Sequence, residues 1–443
     1  MPLVLNLIYA ATLVLFAPLL AYRVIRSGKY REGLWEKFWG DAPRRIGERP
    51  CLWFHAVSVG EVLLLQPLVA EMARRRPGWE VVISTTTTTG LSVARRTFPD
   101  LITFYAPLDF SWATQRALAR IRPTVLALVE LELWPNLIRA AKRSGAKVAI
   151  INARLSSRSY RGYRRIRGPL RPTLRCIDVV AAQDADYARR FVELGIPEER
   201  VSVTGSVKYD GLESDRNNAR TRQLRKELGL SHSDLIFVAG STMEGEEAAA
   251  LAAYRAARQQ HPGLRLIVVP RHAQRFESVA RFLEENGETV VRRSQLGSGA
   301  DPVPAVLPSS GSPSPVILID TIGELAAVWG LADVAFVGGS LIAGRGGQNM
   351  IEPAAYGASV LFGPHTANFR ETVEQLLSRN AACRVTDASD LSLKLQEDLD
   401  DPEAAAARGA AGRSFVLAQH GASGRTLAML DRLVETSFTQ KSA

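Results

Sequence analysis

The chain has 443 residues, more than one hydrophobic core holds, and its 46% hydrophobic and 23% charged residues read as a globular protein of two domains. A net charge of +10 points to an acidic partner: nucleic acid, anionic lipid or a phosphorylated substrate. Three distant cysteines, Cys51, Cys176 and Cys383, exclude a disulfide framework and a zinc cluster, and point to a reducing compartment.

The first element is apolar. Leu3 to Tyr22 carries no charge, and Arg23, Arg26, Lys29 and Arg31 follow it. Roughly 20 apolar residues reach across a bilayer as a helix. A secretory signal carries its positive charges ahead of the apolar run, not behind it. Residues 1–30 therefore read as a membrane anchor with the bulk of the chain on the cytoplasmic side. Pro18 permits a kinked or shallow helix, so anchoring is the reading and spanning is left open. Trp35, Phe38 and Trp39 extend the interfacial character.

From Cys51 strands and helices alternate. Strands are expected at Cys51–His55, Glu80–Ser84, Thr124–Val129, Lys147–Ile151, Val179–Ala182 and Val201–Thr204, with helices between them. That pattern predicts a parallel sheet covered on both faces, with ligands beyond the carboxyl ends of its strands. His55–Glu61, Ser84–Gly90, Glu130–Asn136 and Asn152–Ser159 then share one rim. Ser58 and Gly60 open a helix and put Glu61 in its first turn. A carboxylate there either takes a proton from a hydroxyl nucleophile or only answers the helix dipole. Glu130 and Glu132 sit two apart on extended chain and point the same way. They serve a site or cap the next helix. The threonines Thr85–Thr89 line a polar pocket or act as strand and cap residues. Asp184 and Asp186 have metal-pair spacing but read more simply as a helix start.

Arg154 to Arg175 holds eight arginines and no acidic residue, with Tyr160 and Tyr163 among them. Such a patch binds phosphates of a lipid or a nucleic acid, or is only a solvated helix face. No nucleic-acid-binding signature accompanies it, and the apolar N-terminus favours lipid.

Gly205–Ser233 is polar and reads as a connection, placing a first domain at 31–215 and a second domain at 216–443. In the second, Leu235–Ala239 is a strand followed by Gly240, Ser241 and Thr242. Leu264–Val269 is a strand ending in Pro270, Arg271 and His272. Ser294–Pro315 is a surface insertion rich in Ser, Pro and Gly. Val316–Ile319 is a strand. Asp333–Val337 is a strand running into a glycine loop with Gly338, Gly339, Gly346 and Gly347 and, among them, Arg345. A helix is expected from about Asn349, ended by Gly357. Small residues before a helix let backbone N–H groups approach a phosphate, or merely bend the chain. Glu352, one turn into that helix, suits the two hydroxyls of a ribose. No P-loop, no dinucleotide fingerprint and no metal cluster is visible.

In this order, the motifs resemble those of the 3-deoxy-D-manno-octulosonic acid (Kdo) transferases of lipopolysaccharide inner-core synthesis. The resemblance covers nearly the whole chain. It rests on the apolar N-terminus, Phe54-His-Ala-Val-Ser-Val-Gly-Glu61, Glu130-Leu-Glu-Leu-Trp-Pro-Asn136, Asn152-Ala-Arg-Leu-Ser156 and Gly205-Ser-Val-Lys-Tyr-Asp210. It continues through Val269-Pro-Arg-His272, Asp320-Thr-Ile-Gly-Glu-Leu325, Gly338–Pro353 and Gly363-Pro-His365. It implies a GT-B fold: α/β, two Rossmann-like domains, an interdomain cleft and an N-terminal membrane-anchoring helix. It implies transfer of Kdo from CMP-Kdo to a hydroxyl of the lipid A precursor with inversion, at the cytoplasmic face of the inner membrane. No cofactor and no metal are implied. The partners implied are the lipid A precursor, CMP-Kdo and an anionic lipid surface, not nucleic acid. By resemblance Glu61 is the general base and Glu130 a second catalytic acid position, with Ser58, Gly60 and Arg154 on the acceptor side. Ser241, Thr242, Pro270, Arg271, Gly338, Gly339, Gly346, Gly347, Asn349 and Glu352 fall on the CMP side, and Lys208, His272 and Gln348 are further donor contacts. The chain departs from the family where many relatives have His-Asn: it has Gln348-Asn349, and glutamine carries no charge. Two other readings remain beside it: a GT-B enzyme using another nucleotide sugar, and a non-catalytic protein that binds anionic lipid.

Overall fold

A computed structural model of the chain describes residues 2–27, 32–296 and 314–439. Lys29, Arg31 and most of the Ser294–Pro315 insertion lie outside them. The described chain forms two compact units, residues 1–211 with 419–443, and residues 212–418.

The first unit holds seven strands: β1 (Cys51–His55), β2 (Glu80–Thr85), β3 (Ile102–Tyr105), β4 (Val125–Val129), β5 (Lys147–Ala153), β6 (Val179–Ala182) and β7 (Val201–Val203). They pair in parallel in the order β3-β2-β1-β4-β5-β6-β7. Every residue of β1 and β4 is buried. Unbroken apolar runs such as Val125–Val129 are what a sheet covered on both faces requires. Two clusters do the covering: Trp53, Leu126 and Leu128 on one face, and Leu52, Phe54 and Val125 with Leu65 and Leu68 on the other.

The second unit repeats the plan with β8 (Leu235–Thr242), β9 (Leu264–Pro270), β10 (Val290–Arg292), β11 (Val316–Leu318), β12 (Val334–Val337), β13 (Ser359–Phe362) and β14 (Cys383–Arg384). The order is β10-β11-β9-β8-β12-β13-β14, again all parallel. The expected α/β class and two Rossmann-like domains are both present. In each sheet the strand order reverses between two central neighbours, β1 and β4 in the first and β8 and β12 in the second. The crevice beyond that reversal is where such sheets bind ligands.

Three differences from the sequence reading have physical causes. β3, β10 and β14 have two to four residues each. Such short edge strands leave little apolar periodicity. The helix expected from Asn349 is a five-residue turn, Ile351–Ala355, closed at Gly357 with φ +77°. The second domain does not run to the C-terminus. The last helix, Ala422–Thr439, returns to the first unit, where Leu427, Leu430 and Val434 join the core with Leu65 and Leu68. Arg76 pairs with Asp431 and Glu435 at 2.9 Å, and Arg425 Nε donates to the Thr204 carbonyl at 2.8 Å.

The N-terminal apolar stretch is helical over Pro2–Ser27. Leu3, Leu7, Val14 and Leu15 are 69–76% exposed. Its Asn6 and Tyr9 face the rest of the first unit instead. Asn6 Nδ2 donates to Ser111 Oγ at 2.7 Å, and Tyr9 Oη donates to Asp109 Oδ2 at 2.9 Å. Among the described residues no helix is long and apolar enough to cross a membrane.

Candidate active site

In the first unit the loops after β1 and β4 meet the expectation for the reversal point. Ser58 caps the helix Val59–Arg75, and its Oγ accepts from Glu61 N at 3.3 Å. Glu61 answers with both oxygens: Ser58 Oγ donates to Oε1 at 2.8 Å and Val57 N donates to Oε2 at 2.8 Å. This reciprocal pattern is a capping box, so Glu61 does serve the helix start. Two accepted bonds leave a carboxylate with lone pairs for a substrate hydroxyl. The loop itself is braced from β2: Thr85 Oγ1 and Thr86 Oγ1 donate to the Val57 carbonyl at 3.2 and 3.1 Å. The threonine run thus supports the Glu61 loop, and Thr87 caps the next helix. A Cβ at Gly60 would meet nothing nearer than Ser58 Oγ at 3.9 Å, so the space above this turn is open.

Glu130 continues β4, its N–H bonded to the Ile151 carbonyl at 2.9 Å, in a left-handed conformation with φ +59°. A non-glycine residue there costs roughly 1–3 kcal/mol and persists where its surroundings hold it. Glu132 is half-buried. Burial pushes its carboxyl up to about 7, the Trp134 bond opposes, and the charges of Glu61 and Glu130 push the same way as burial. Trp134 Nε1 donates to its Oε2 at 2.7 Å. The three carboxylates therefore share an electrostatic neighbourhood in which Glu132 is held well above the usual carboxylate range. His55 lies beneath, fully buried, bonded through Nδ1 to Ser84 Oγ at 2.9 Å and edge-on to Trp134. Burial pushes its imidazole down to about 4. Arg154 is exposed on the same rim, with Nε 3.4 Å from Tyr187 Oη. Asp184 caps a helix through Tyr187 N, as the simpler reading held.

The remaining support was not legible in the sequence. Asp109 is buried and accepts from the backbone N–H groups of Asn136 and Leu137 at 3.0 and 2.8 Å. It anchors the first turn of the helix Pro135–Arg143, which follows the Glu130–Trp134 loop. Burial pushes its carboxyl up to about 6 despite these bonds.

In the second unit β8 and β12 flank the reversal. Gly240 lies against Trp329, whose ring would overlap a Cβ at 2.3 Å. Ser241 takes φ +54°. Thr242 is buried, and its carbonyl accepts from Arg271 N at 3.0 Å and Arg275 Nη1 at 3.3 Å. Pro270 ends β9 beside Thr242, and Arg271 and His272 are exposed just beyond. Asn349 bridges two roles: its Oδ1 accepts from Ile351 N at 3.1 Å, and its Nδ2 donates to Glu352 Oε1 at 2.9 Å. Burial pushes the Glu352 carboxyl up, while Asn349 and the charge of Arg271 oppose this. Arg271, Asn349 and Glu352 are thus brought together.

The glycine loop works differently from a bare phosphate cradle. The buried Glu246 carboxylate occupies it. Gly339 N donates to Oε2 at 2.6 Å, and Ser340 N and Leu341 N donate to Oε1 at 2.9 Å. Met243 N completes the set at 2.8 Å. Gly338 is small because the β8 backbone crowds it: a Cβ would lie 2.6 Å from the Ser241 carbonyl oxygen. Gly347 N is bonded to the Gly339 carbonyl at 2.7 Å. Gly346 and Gly347 have φ near +80°, and a Cβ on Gly346 would strike the Asn368 amide. Gln348 is half-buried against Gly339. Beside this loop lies a polar cavity of about 620 Å³ bordered by Arg345, His365, Arg370, Glu374 and Arg384. Lys208 belongs to the first unit, its ammonium 5.0 Å from the Tyr209 ring.

Residues 32–211 match the sequence profile of the family described as 3-Deoxy-D-manno-octulosonic-acid transferase (kdotransferase). Over 438 residues the chain is 33% identical to a 3-deoxy-D-manno-octulosonic acid transferase of Haemophilus influenzae, covering 96% of this chain and 98% of that one. The chain belongs to the Kdo transferase family. A second relative, the 3-deoxy-D-manno-octulosonic acid transferase of Bordetella pertussis, is 35% identical over 448 residues, with 96% and 98% coverage. A solved structure of UDP-GlcNAc 2-epimerase from Neisseria meningitidis is similar in fold, with a TM-score of 0.56, 14% identity and coverage of 86% of this chain and 100% of that one. Two Rossmann-like domains of this kind make the GT-B fold of a Kdo transferase family member.

Proposed function

We propose that the protein transfers Kdo from CMP-Kdo to a hydroxyl of a lipid A precursor, lipid IVA, with inversion, in lipopolysaccharide inner-core biosynthesis. Family membership supports the reaction class. The observation that carries the mechanism is Glu61, fixed by Ser58 and Val57 N–H at a helix start with lone pairs to spare. Glu61 takes the proton of the acceptor hydroxyl as its oxygen attacks the anomeric carbon. The bond from that carbon to the CMP phosphate breaks, and its electron pair leaves on the phosphate oxygen. A single displacement through an oxocarbenium-like state inverts the centre. Arg271 supplies positive charge to the departing phosphate, and Glu352, oriented by Asn349, takes the ribose hydroxyls. Glu130, held at positive φ, and Glu132, its carboxyl pushed up to about 7, complete the acceptor side. No metal or cofactor enters this scheme.

The acceptor is a membrane lipid in this reading, and the protein works at the cytoplasmic face of the inner membrane. The exposed Leu3, Leu7, Val14 and Leu15 and the exposed arginines from Arg158 to Arg175 support that placement. The test is incubation with CMP-Kdo and tetraacylated lipid A precursor, reading product mass and CMP release. Glu61→Gln keeps the capping geometry, so it is expected to fold and to lose about 10²–10⁴-fold in kcat. Full activity of that variant, or turnover only with a UDP-sugar, overturns the proposal.

A further inference from the structure

The first unit contains a cavity of about 530 Å³ whose apolar walls take no part in the reaction scheme above. Clefts and cavities of about 300–1,000 Å³ are the size that holds ligands. Leu13, Phe110, Leu133, Trp134 and Tyr163 line it, and Glu132 lines its polar side. Glu132 is the carboxyl that feels the charges of Glu61 and Glu130. Leu13 belongs to the N-terminal helix, whose Leu3, Leu7, Val14 and Leu15 lie exposed. The cavity therefore joins the carboxylate cluster to an apolar strip that water does not favour. Tyr163 belongs to the helix Ser157–Arg165, where Arg158, Arg161, Arg164 and Arg165 are all exposed. A ligand entering here meets hydrocarbon within and positive charge at the surface.

The N-terminal helix is bonded into this site and is more than a tether. Tyr9 Oη donates to Asp109 Oδ2 at 2.9 Å, and Asn136 Nδ2 donates to Asn6 Oδ1 at 3.3 Å. Asp109 in turn holds the backbone of Asn136 and Leu137, directly after the Glu130–Trp134 loop. We infer that this cavity takes one hydrocarbon chain of an anionic lipid acceptor and that the N-terminal helix is one of its walls. This rests on the reading that the acceptor is a lipid. The chain then sets the depth at which the headgroup hydroxyl stands before Glu61, so acyl length becomes a specificity determinant.

The experiment uses the full chain in detergent micelles and a phosphorylated glucosamine disaccharide whose acyl chain ends in a diazirine. After irradiation, adducts are mapped by mass spectrometry. Adducts are expected on Leu13, Leu133 or Tyr163. Thr12, which also lines the cavity, is changed to tryptophan to fill it. Thr12→Trp should lose those adducts and raise KM for the acylated acceptor about fifteen-fold, the loss of roughly two buried methylenes, while kcat stays within about two-fold. Leu133→Phe fills the cavity from another wall should Thr12→Trp melt early. Adducts confined to Leu3, Leu7, Val14 and Leu15, or an unchanged KM in both variants, overturn the inference. Wild-type CMP release from CMP-Kdo with the same probe tests the transferase reading separately, because the adduct map does not depend on turnover.

Discussion

Glu246 offers a direct measure of how the donor-side loop is held. Its carboxylate is wholly buried and accepts four backbone N–H groups, two on each oxygen. Glu246→Gln preserves shape but turns one oxygen into an amide NH₂. Two of the four donors then face a donor. A buried N–H left without a partner costs about 1–3 kcal/mol, so the variant should lose about 4 kcal/mol. For a unit of this size each kcal/mol moves the melting point about 2–4 °C, giving a drop of roughly 10 °C. Glu246→Ala frees all four donors and opens a pocket of anion-binding character. It should melt lower still in neutral buffer and be restabilised by millimolar phosphate more than the wild type is. Calorimetry of the full chain gives the melting points. Amide exchange at Gly339, Ser340 and Leu341 shows whether the loop itself is loosened. Glu246→Gln melting within about 2 °C of wild type, with unchanged exchange at those three amides, would refute the reasoning.

Glu132 has a folded-state pKa above its unfolded value, so the folded chain binds the extra proton and stability should fall as pH rises from about 4.5 to 7. Glu132→Gln should flatten that segment of the stability curve in denaturant titrations at stepped pH. His55 has the opposite sign of effect: its folded pKa is depressed to about 4, so stability should be lost as pH falls from 6.5, by about 3 kcal/mol in all. His55→Gln should remove that acid limb, measured the same way. Gly338→Ala would set a methyl 2.6 Å from the Ser241 oxygen and 2.7 Å from Thr242 Cα, both backbone atoms. It should cost about 1–3 kcal/mol and raise KM for CMP-Kdo, whereas Gly60→Ala, with open space around it, should leave the melting point unchanged.

The alternation of strand and helix was legible because strands buried on both faces are unbroken apolar runs, as in Val125–Val129. Glu61 was legible because Ser58 and Glu61 carry a capping signature within four residues. Glu246 was not. Gly245-Glu-Glu247 does not say which of two buried carboxylates reaches the glycine loop, whose first bonded residue lies 93 positions away. The Tyr9–Asp109 bond joins residues 100 apart, so neither side signals the other locally. The raised pKa of Glu132 was hidden for a related reason: it depends on how the fold buries the group and which charges it gathers, not on its neighbours in the chain. The helix Ala422–Thr439 looked like a continuation of the second domain because its apolar spacing does not name the surface it covers.

That last helix has a consequence for synthesis. The second unit is one continuous stretch, 212–418, whereas the first needs the helix Ala422–Thr439 to close its core. On the ribosome, the second unit emerges whole while Leu65 and Leu68 still lack Leu427, Leu430 and Val434. The half of the protein that starts the chain is thus the last to be finished. A nonsense codon in the final few dozen positions strikes the half made first.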